Sequence, residues 1–256
     1  MKNSAINRTC AVLVLILAAS SVWATVYPER DEINRRFTLP AKTRVDVSAI
    51  SGSVEIEAID GDTAIVQIER TGRSQAELDC NKVVLEQASD NLALQSKTVG
   101  GPGCQNIQVV YRVQLSLPRY VNLSVHGVSG PVNIGEIEGT LRISGNSGNI
   151  NLAQSGRGSS ISGNSGATTI KLRRLDAGGL ELSGNSGAVK LYIADELNVD
   201  VKVSSISGSV SSELPNVKFN KTGAADYYAR IGSGGPTINV EGNSGDRKST
   251  RLNSSH

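Results

Sequence analysis

Short runs of alternating apolar and polar residues, joined by turns rich in glycine, serine and asparagine, recur along most of the chain. One such unit runs through Leu141–Ser144, then the turn Gly145–Gly148, then Ile150–Leu152. Alternation over three or four residues predicts a short β-strand with one buried face, and the turn residues predict a sharp change of direction. Each unit therefore predicts two short strands joined by a tight turn.

The unit repeats at a nearly constant interval. Five copies begin 18, 18, 21 and 21 residues apart, at Leu123, Leu141, Ser159, Leu180 and Val201. Further copies occupy Val45–Gly52 and Ile238–Gly245. A period near 20 residues fits one coil of a solenoid and is too short for a propeller blade. We therefore predict an all-β chain folded as a single β-solenoid, similar to a β-helix, with short stacked strands.

Stacking of the coils has a direct consequence for the core. Coils about 4.8 Å apart pair with the coils above and below them. Equivalent apolar residues must then lie in one row, and we expect this of Ile143, Ile161 and Leu182.

The turns of the repeat use residues suited to tight backbone geometry. Glycine adopts positive φ freely, asparagine tolerates it, and serine and asparagine side chains bond local backbone groups. The asparagines and serines would form two columns, interpreted either as a ligand-binding strip or as turn chemistry that keeps the coils in register. The residues that we predict to be structural in the turns are Gly127, Gly130, Gly145, Asn146, Ser147, Gly148, Gly163, Asn164, Ser165, Gly166, Gly184, Asn185, Ser186, Gly187 and Gly208.

Residues 40–120 are less regular and predict irregular N-terminal coils or a sheet that covers one end of the solenoid, because an uncovered end invites aggregation. Strand-like runs occur at Thr63–Ile68, Lys82–Leu85, Asn91–Gln95 and Ile107–Leu117. Ser74–Cys80 is expected to form a short helix or a loop, and Thr222–Gly235 a loop.

The N-terminus has the features of a secretory signal peptide. Lys2 and Arg8 precede an apolar run, Ala11–Ala19, and small residues at Val22 and Ala24 provide a cleavage site after residue 24. The apolar run is too short to span a bilayer, although an uncleaved anchor is the alternative. We predict a signal peptide at 1–24, a lead-in at 25–41 and no transmembrane span in the mature part.

The C-terminal eleven residues, 246–256, resemble the translation of a common sequencing adapter. They also abandon the repeat just after a turn that should lead into a strand. We therefore expect residues 246–256 to be an artefact and the β-solenoid domain, 42–245, to be truncated at its C-terminal end.

Composition and charge restrict the class of protein. The chain has 26 basic and 24 acidic residues; without the predicted leader and tail, 21 basic and 23 acidic residues remain, a net charge of −2. Basic residues are scattered singly, which argues against a nucleic-acid partner. The part after residue 24 has no tryptophan, and its only phenylalanines are Phe37 and Phe219, which suits a thin aliphatic core.

Cys80 and Cys104 are the only cysteines after the predicted leader. An even pair in an exported protein predicts a disulfide, which would close a loop of about 25 residues and contribute ~3 kcal/mol. Two separate thiols are the alternative. Two cysteines with no histidine nearby do not make a metal site.

Residues capable of catalysis are few and dispersed. His126 falls in the column of Ser144, so a Ser–His contact is conceivable, but a polar residue beside a turn is the simpler interpretation. Asp60 and Asp62 fit a β-turn better than a calcium site. Glycan-active β-helices need clustered charged residues on one face, whereas here they are spread singly over Arg142, Lys171, Glu181 and Lys190. We expect no catalytic residue, metal or cofactor.

The repeated strand, Ser-Gly turn and strand, as in Ile50–Ile56 and Ile206–Val210, resembles the bacterial putative-adhesin family of exported domains. The resemblance covers roughly residues 42–245 and implies an envelope β-solenoid without catalytic residues. It favours a non-catalytic adhesive or structural protein in the periplasm or on the cell surface, with an envelope protein or a glycan as partner. The alternatives are a periplasmic accessory or sensor protein and a polysaccharide-active enzyme.

Overall fold

The structure is a computed structural model that describes residues 28–153, 155–204, 209–215, 217–242 and 247–251, with 155, 156 and 247–251 described by their backbone alone. The predicted signal peptide, Gly208, Gly245 and residues 252–256 lie outside the described residues. Within them, short β-strands stacked largely in parallel make up almost all regular structure, together with one helix, α1 (Gln75–Cys80). The all-β prediction is confirmed.

The described strands, numbered in chain order, form two sheets. Sheet A has the strands β1 (Glu29–Thr38), β4 (Thr63–Gly72), β7 (Val110–Pro118), β3 (Gly52–Ile59), β9 (Val132–Ile134), β11 (Ile150–Ala153), β13 (Thr168–Leu172), β15 (Val189–Ile193), β21 (Arg247–Arg251) and β17 (Val210–Ser212), in order of pairing. Sheet B has, in the same sense, β18 (Asn220–Lys221), β19 (Tyr227–Ile231), β16 (Val199–Ser204), β20 (Thr237–Glu241), β14 (Leu180–Ser183), β12 (Ser155–Ser162), β10 (Ile137–Ser144), β8 (Asn122–His126), β2 (Arg44–Ser48), β6 (Asn91–Thr98) and β5 (Asn81–Gln87).

A coil is defined here as one strand of sheet B, a turn and the next strand of sheet A. The four coils β8–β9, β10–β11, β12–β13 and β14–β15 stack in chain order, and neighbouring coils pair in parallel through both strands. The register places Ile143 beside Ile161, and Ile161 beside Leu182. The predicted row is therefore confirmed.

The inward residues of the two sheets form one continuous aliphatic core. Full burial of such a side chain contributes about 1.5–3 kcal/mol. Among the side chains that the structure describes, Thr168 and Ser159 are polar residues within these rows. Thr168 is fully buried, and its hydroxyl accepts a hydrogen bond from Asn164 Nδ2 at 3.0 Å. Ser159 lies between Leu141 and Leu180, and its buried Oγ has no partner.

The coils depart from chain order at both ends of the stack. The coil β2–β3 pairs with β8–β9 on one side and with β6 and β7 on the other. At the opposite end, β20 lies between β14 and β16. The unit at Val201 therefore does not stack directly on the unit at Leu180, although it is the next copy in the chain. Ile238 of β20 is in register with both Leu180 and Val201, so β20 occupies the place between their two strands. The residues between β16 and β20 are numerous enough for the chain to return to β14.

Antiparallel strands extend both sheets at the N-terminal end and sheet B at the opposite end, whereas the described part of sheet A ends there in the parallel strand β17. At the N-terminal end β1 and β4 extend sheet A, β5 extends sheet B, and α1 packs with Leu78 fully buried, as expected for an irregular cover. The predicted lead-in thus contains strand β1. At the other end, the expected loop Thr222–Gly235 is wrong in part. It contains β19, whose Ala229 and Ile231 are buried against β16.

Strand β21 lies in the segment that we expect to be adapter-derived. Its backbone pairs in parallel with β15 and β17, so the break expected after Gly245 is absent from residues 247–251. Pairing of this kind needs only main-chain groups. Positions 247, 249 and 251 are in register with the buried residues Val189, Leu191 and Ile193, although the sequence has Arg, Ser and Arg there. The artefact interpretation stays a prediction.

This register predicts the effect of an apolar tail. Replacing Arg247→Val, Ser249→Leu and Arg251→Ile together should raise the free energy of unfolding by about 2 kcal/mol or more, because these positions are in register with the buried Val189, Leu191 and Ile193. Urea unfolding measures the change. The matched control is Lys248→Val with Thr250→Leu at the alternate positions, and an equal gain from the control would contradict the register.

Candidate functional site

The first glycine of each turn has a backbone conformation that favours glycine. Its φ is +65° at Gly127, +63° at Gly145, +62° at Gly163 and +61° at Gly184. A Cβ in this left-handed region costs roughly 1 kcal/mol or more. Ala49 occupies the same place in the coil β2–β3 with φ +56°, so that coil tolerates the cost.

The last glycine of each turn is required for a different reason, which is the close approach of stacked backbones. A Cβ on Gly148 would lie 1.9 Å from the carbonyl oxygen of Gly130. A Cβ on Gly166 would lie 2.3 Å from that of Gly148, and one on Gly187 would lie 2.2 Å from that of Gly166. Only a residue without a side chain fits this column.

The asparagines of the turns are buried rather than displayed. Asn146, Asn164 and Asn185 are at most 2% exposed. Asn146 Oδ1 accepts a hydrogen bond from the backbone nitrogen of Val128 at 2.9 Å, and Asn185 Oδ1 accepts one from Asn164 N at 3.1 Å. Each bond joins one coil to the coil before it. The asparagine column therefore holds the register, and burial leaves it unable to act as a ligand-binding strip.

The serines of the turns are exposed, and their backbone carries the ladder through the corner. Ser147 N donates to Val128 O at 3.1 Å, and Ser165 N donates to Asn146 O at 3.0 Å. Ser186 N donates to Asn164 O at 2.9 Å. Pairing between coils is thus continuous from sheet B through the turn into sheet A.

The disulfide between Cys80 and Cys104 is present, with 5.4 Å between the Cα atoms. It lies at the end of α1, beside the buried Arg70, whose guanidinium donates to the carbonyls of Leu78 and Asn81 and pairs with Asp31. These bonds fasten α1 to sheet A. Burial raises the pKa of Tyr111, whose hydroxyl donates to the same Asn81 carbonyl at 3.4 Å.

A similar polar contact fastens β19 at the opposite end of the stack. Tyr228 Oη donates to Asp200 Oδ1 at 2.6 Å, and Arg230 Nε donates to the same atom at 3.0 Å. Hydrogen bonds from Tyr228 and Arg230 lower the pKa of the Asp200 carboxyl. The contact ties β19 to β16, so the fold alone explains why these three polar side chains lie together.

The residues considered for catalysis do not converge. His126 is exposed and aligned with Ser144 and Ser48, and its side chain makes no hydrogen bond with them in the described part of the chain. Asp60 is bound by Arg119 at 2.8 Å, and Asp62 accepts from the Thr63 hydroxyl. Across the described ranges, no three His, Cys, Asp or Glu side chains are grouped to hold a metal.

The four charged strand residues that we considered for glycan chemistry lie on two different faces. Arg142 and Glu181 are on the outer face of sheet B, where both neighbour Ser160. Lys171 and Lys190 are on the outer face of sheet A. They cannot act on one substrate together.

A groove with several polar residues lies on the outer face of sheet A, and it was not predicted from the sequence. Its volume is about 600 Å³, and it runs from Gln67 on β4 and Gln114 on β7 across β3, β9 and β11 to β13. The polar residues on its part from β3 to β13 are Glu55, Glu57, Asn133, Asn151, Thr169 and Lys171. Below we call this feature the sheet A groove.

The sheet A groove is recessed at its centre because the residues there are small. Gly135 and Ala153 leave space beside the amides of Asn133 and Asn151. Asn151 Nδ2 donates to Asn133 Oδ1 at 2.8 Å, which orders both amides along the stack. The arrangement offers hydrogen-bond donors and acceptors to a ligand that lies along the stack, and a rigid sheet to hold them.

Sequence signals for the groove did exist. In each unit the outward residue of the second strand is Glu55, Asn133, Asn151 or Thr169, and the next outward position is Glu57, Gly135, Ala153 or Lys171. When these outward positions are aligned, and not only the turns, the small residues Gly135 and Ala153 fall between the charged Glu57 and Lys171.

Comparison with known families decides the classification. The model of the family described as Toastrack DUF4097 matches residues 31–248. The chain belongs to the Toastrack DUF4097 family. The Toastrack match begins within β1, in the stretch that we expected to be a lead-in, and the resemblance to bacterial putative adhesins is confirmed.

Solved structures similar to this Toastrack chain are distant. A putative cell adhesion protein from Clostridium sporogenes has 13% identity and a TM-score of 0.45, with 88% of this chain and 100% of that chain covered. A putative adhesin from Bacteroides fragilis has 13% identity and a TM-score of 0.37, with 88% and 99% covered. A putative lipid binding protein from Parabacteroides distasonis has 14% identity and a TM-score of 0.30, with 87% and 97% covered.

These distant likenesses assign no function to the Toastrack chain. Among curated proteins, none has a sequence that matches it. In the described ranges, no helical segment has the length and hydropathy needed to cross a membrane.

The glycine columns predict a sharp difference between two adjacent turn residues. Gly166→Ala should lower the free energy of unfolding by about 1–3 kcal/mol, because the new Cβ collides with the Gly148 carbonyl. Ser165→Ala, on the exposed column, should change it by less than about 0.5 kcal/mol. Denaturant unfolding of both variants checks this, and equal midpoints would show that the backbones do not approach so closely.

Proposed function

We propose that this Toastrack domain is a non-catalytic β-solenoid of the bacterial envelope that binds an envelope protein or glycan through the sheet A groove. The observation that carries the proposal is the groove itself. It joins the outward side chains of four successive coils into one hydrogen-bonding surface. A binding role needs such a surface and does not need a cluster of catalytic groups.

The groove is well suited to recognition because its side chains stand on a rigid framework. Each strand under it pairs with neighbours on both sides, and the core beneath it is continuous. Side chains held on strands keep their spacing better than side chains on loops. A ligand can therefore bind without a large cost for ordering the protein.

Export and an envelope location rest on two features. The predicted signal peptide at 1–24 would direct the chain out of the cytoplasm. The disulfide between Cys80 and Cys104 is typical of oxidising compartments. Both features support a periplasmic or surface protein.

Polysaccharide hydrolysis is the second candidate, because Glu55 and Glu57 lie in the groove on the same face of β3. Residues two apart on one strand are roughly 6.6 Å apart, a separation that glycosidases also use. Glycosidase carboxylates, however, flank the scissile bond, whereas these two stand side by side and exposed. The geometry favours binding.

A bulky side chain in the groove tests the proposal. Asn151→Trp should reduce co-sedimentation of the purified chain with washed bacterial envelope fractions by about tenfold, because the indole fills the groove. Ser160→Trp on the outer face of sheet B is the matched control and should bind like the unmodified chain.

Equal binding by the two tryptophan variants would show that the groove is not the binding site. If the unmodified chain does not bind, the envelope-binding role is wrong. Release of reducing sugars from the fractions, abolished by Glu55→Gln or Glu57→Gln, would favour the enzyme instead.

A further inference from the structure

The sheet A groove holds charges of opposite sign on two of its strands. Glu55 and Glu57 stand on β3, Lys171 stands on β13 at one end, and beyond β3 the groove continues over the uncharged Gln114 and Gln67. In the part of the chain that the structure describes, Glu57 and Lys171 form no ion pair, and Glu55 contacts the Gln114 amide at 3.4 Å. The groove therefore presents unneutralised charge of each sign.

The distance between these charges follows from the order of the strands. β3, β9, β11 and β13 are successive neighbours, so three strand spacings separate the two sets of charges. At about 4.8 Å for each spacing, these charges are about 14 Å apart. Four residues of an extended peptide span about 14 Å.

The space between the charges is lined by groups that match peptide amides. The side-chain amides of Asn133 and Asn151 each offer a donor and an acceptor, and Thr169 offers a hydroxyl. The small residues Gly135 and Ala153 let a backbone approach the floor. A chain of alternating N–H and C=O groups along the stack can bond to each of these in turn.

From this geometry we infer that the groove binds a short, extended peptide of about four residues with free termini. Its ammonium group lies between Glu55 and Glu57, its carboxylate lies at Lys171, and its amides bond to Asn133, Asn151 and Thr169. The inference rests on the proposed use of the groove as a binding site and names the class of ligand.

A neutral glycan fits this site less well. No aromatic ring is among the residues that line the groove, so a sugar would lack a stacking partner. A neutral sugar chain would also leave the charges of Glu55, Glu57 and Lys171 without partners.

The test is a titration of the ¹⁵N-labelled chain followed by NMR, with tetra-alanine as the probe. Tetra-alanine with free termini should shift the amide signals of groove residues and bind about tenfold more tightly than its N-acetylated, C-amidated form, because capping removes two exposed ion pairs. Dialanine should also bind about tenfold more weakly, because it is too short to reach Lys171 and the two glutamates at the same time.

Variants assign the two ends. Lys171→Gln should abolish the preference for a free carboxylate and keep the preference for a free amine. Glu55→Gln with Glu57→Gln should do the reverse. Lys202→Gln on the outer face of sheet B is the charge-matched control and should leave both preferences unchanged.

Two results would overturn the inference: no binding of tetra-alanine at millimolar concentration, or equal binding of the free and capped forms. Tighter binding of chitotetraose would assign the groove to a glycan. If the Asn151→Trp variant still loses envelope binding in that case, the proposed function stands and only the ligand class is wrong. If envelope binding also fails, both are wrong.

Discussion

Close contact between the backbones of successive turns is the constraint on which this structure depends. At the last position of each turn the carbonyl oxygen of the previous coil occupies the place of a Cβ, as at Gly148 and Gly166. The first position requires positive φ. Hydrogen bonds then run through the corner, from Ser165 N to Asn146 O for example. With the turns in contact, both sheets are held at the spacing of paired strands.

The thin core follows from this stacking. Because each coil adds only a few inward residues, the aliphatic rows are narrow, and large aromatic side chains are almost absent. Buried asparagines add bonds between coils that apolar residues could not provide. The ends of such a stack would expose unpaired strand edges, and antiparallel strands extend three of the four sheet edges beyond the parallel coils.

The outer face of sheet A gains its character from the same stacking. Outward residues of different coils come into register, so Asn133 and Asn151 hydrogen-bond although 18 residues separate them in the chain. Charged residues from β3 and β13 are brought into one groove, three strand spacings apart. The outward residues can therefore change, and the binding surface with them, while the turns and the core remain unchanged.

The sequence allowed the strands, the turns and the row through Ile143 to be predicted, because alternation and period determine which residues face inward. The order of coils could not be predicted, since β16 and β20 have the same pattern and either could follow β14. Burial of Asn164 was missed because a polar turn is ordinarily exposed. The groove was missed because it depends on outward residues of four separate units.

Native-state hydrogen exchange tests the central claim most directly. We expect the backbone amides of Ser147, Ser165 and Ser186 to exchange as slowly as the amides of the flanking strands, although the serines lie in exposed turns, because each amide donates to the previous coil. Exchange as fast as in the surface loop at residues 100–103 would contradict the stacking of turn on turn.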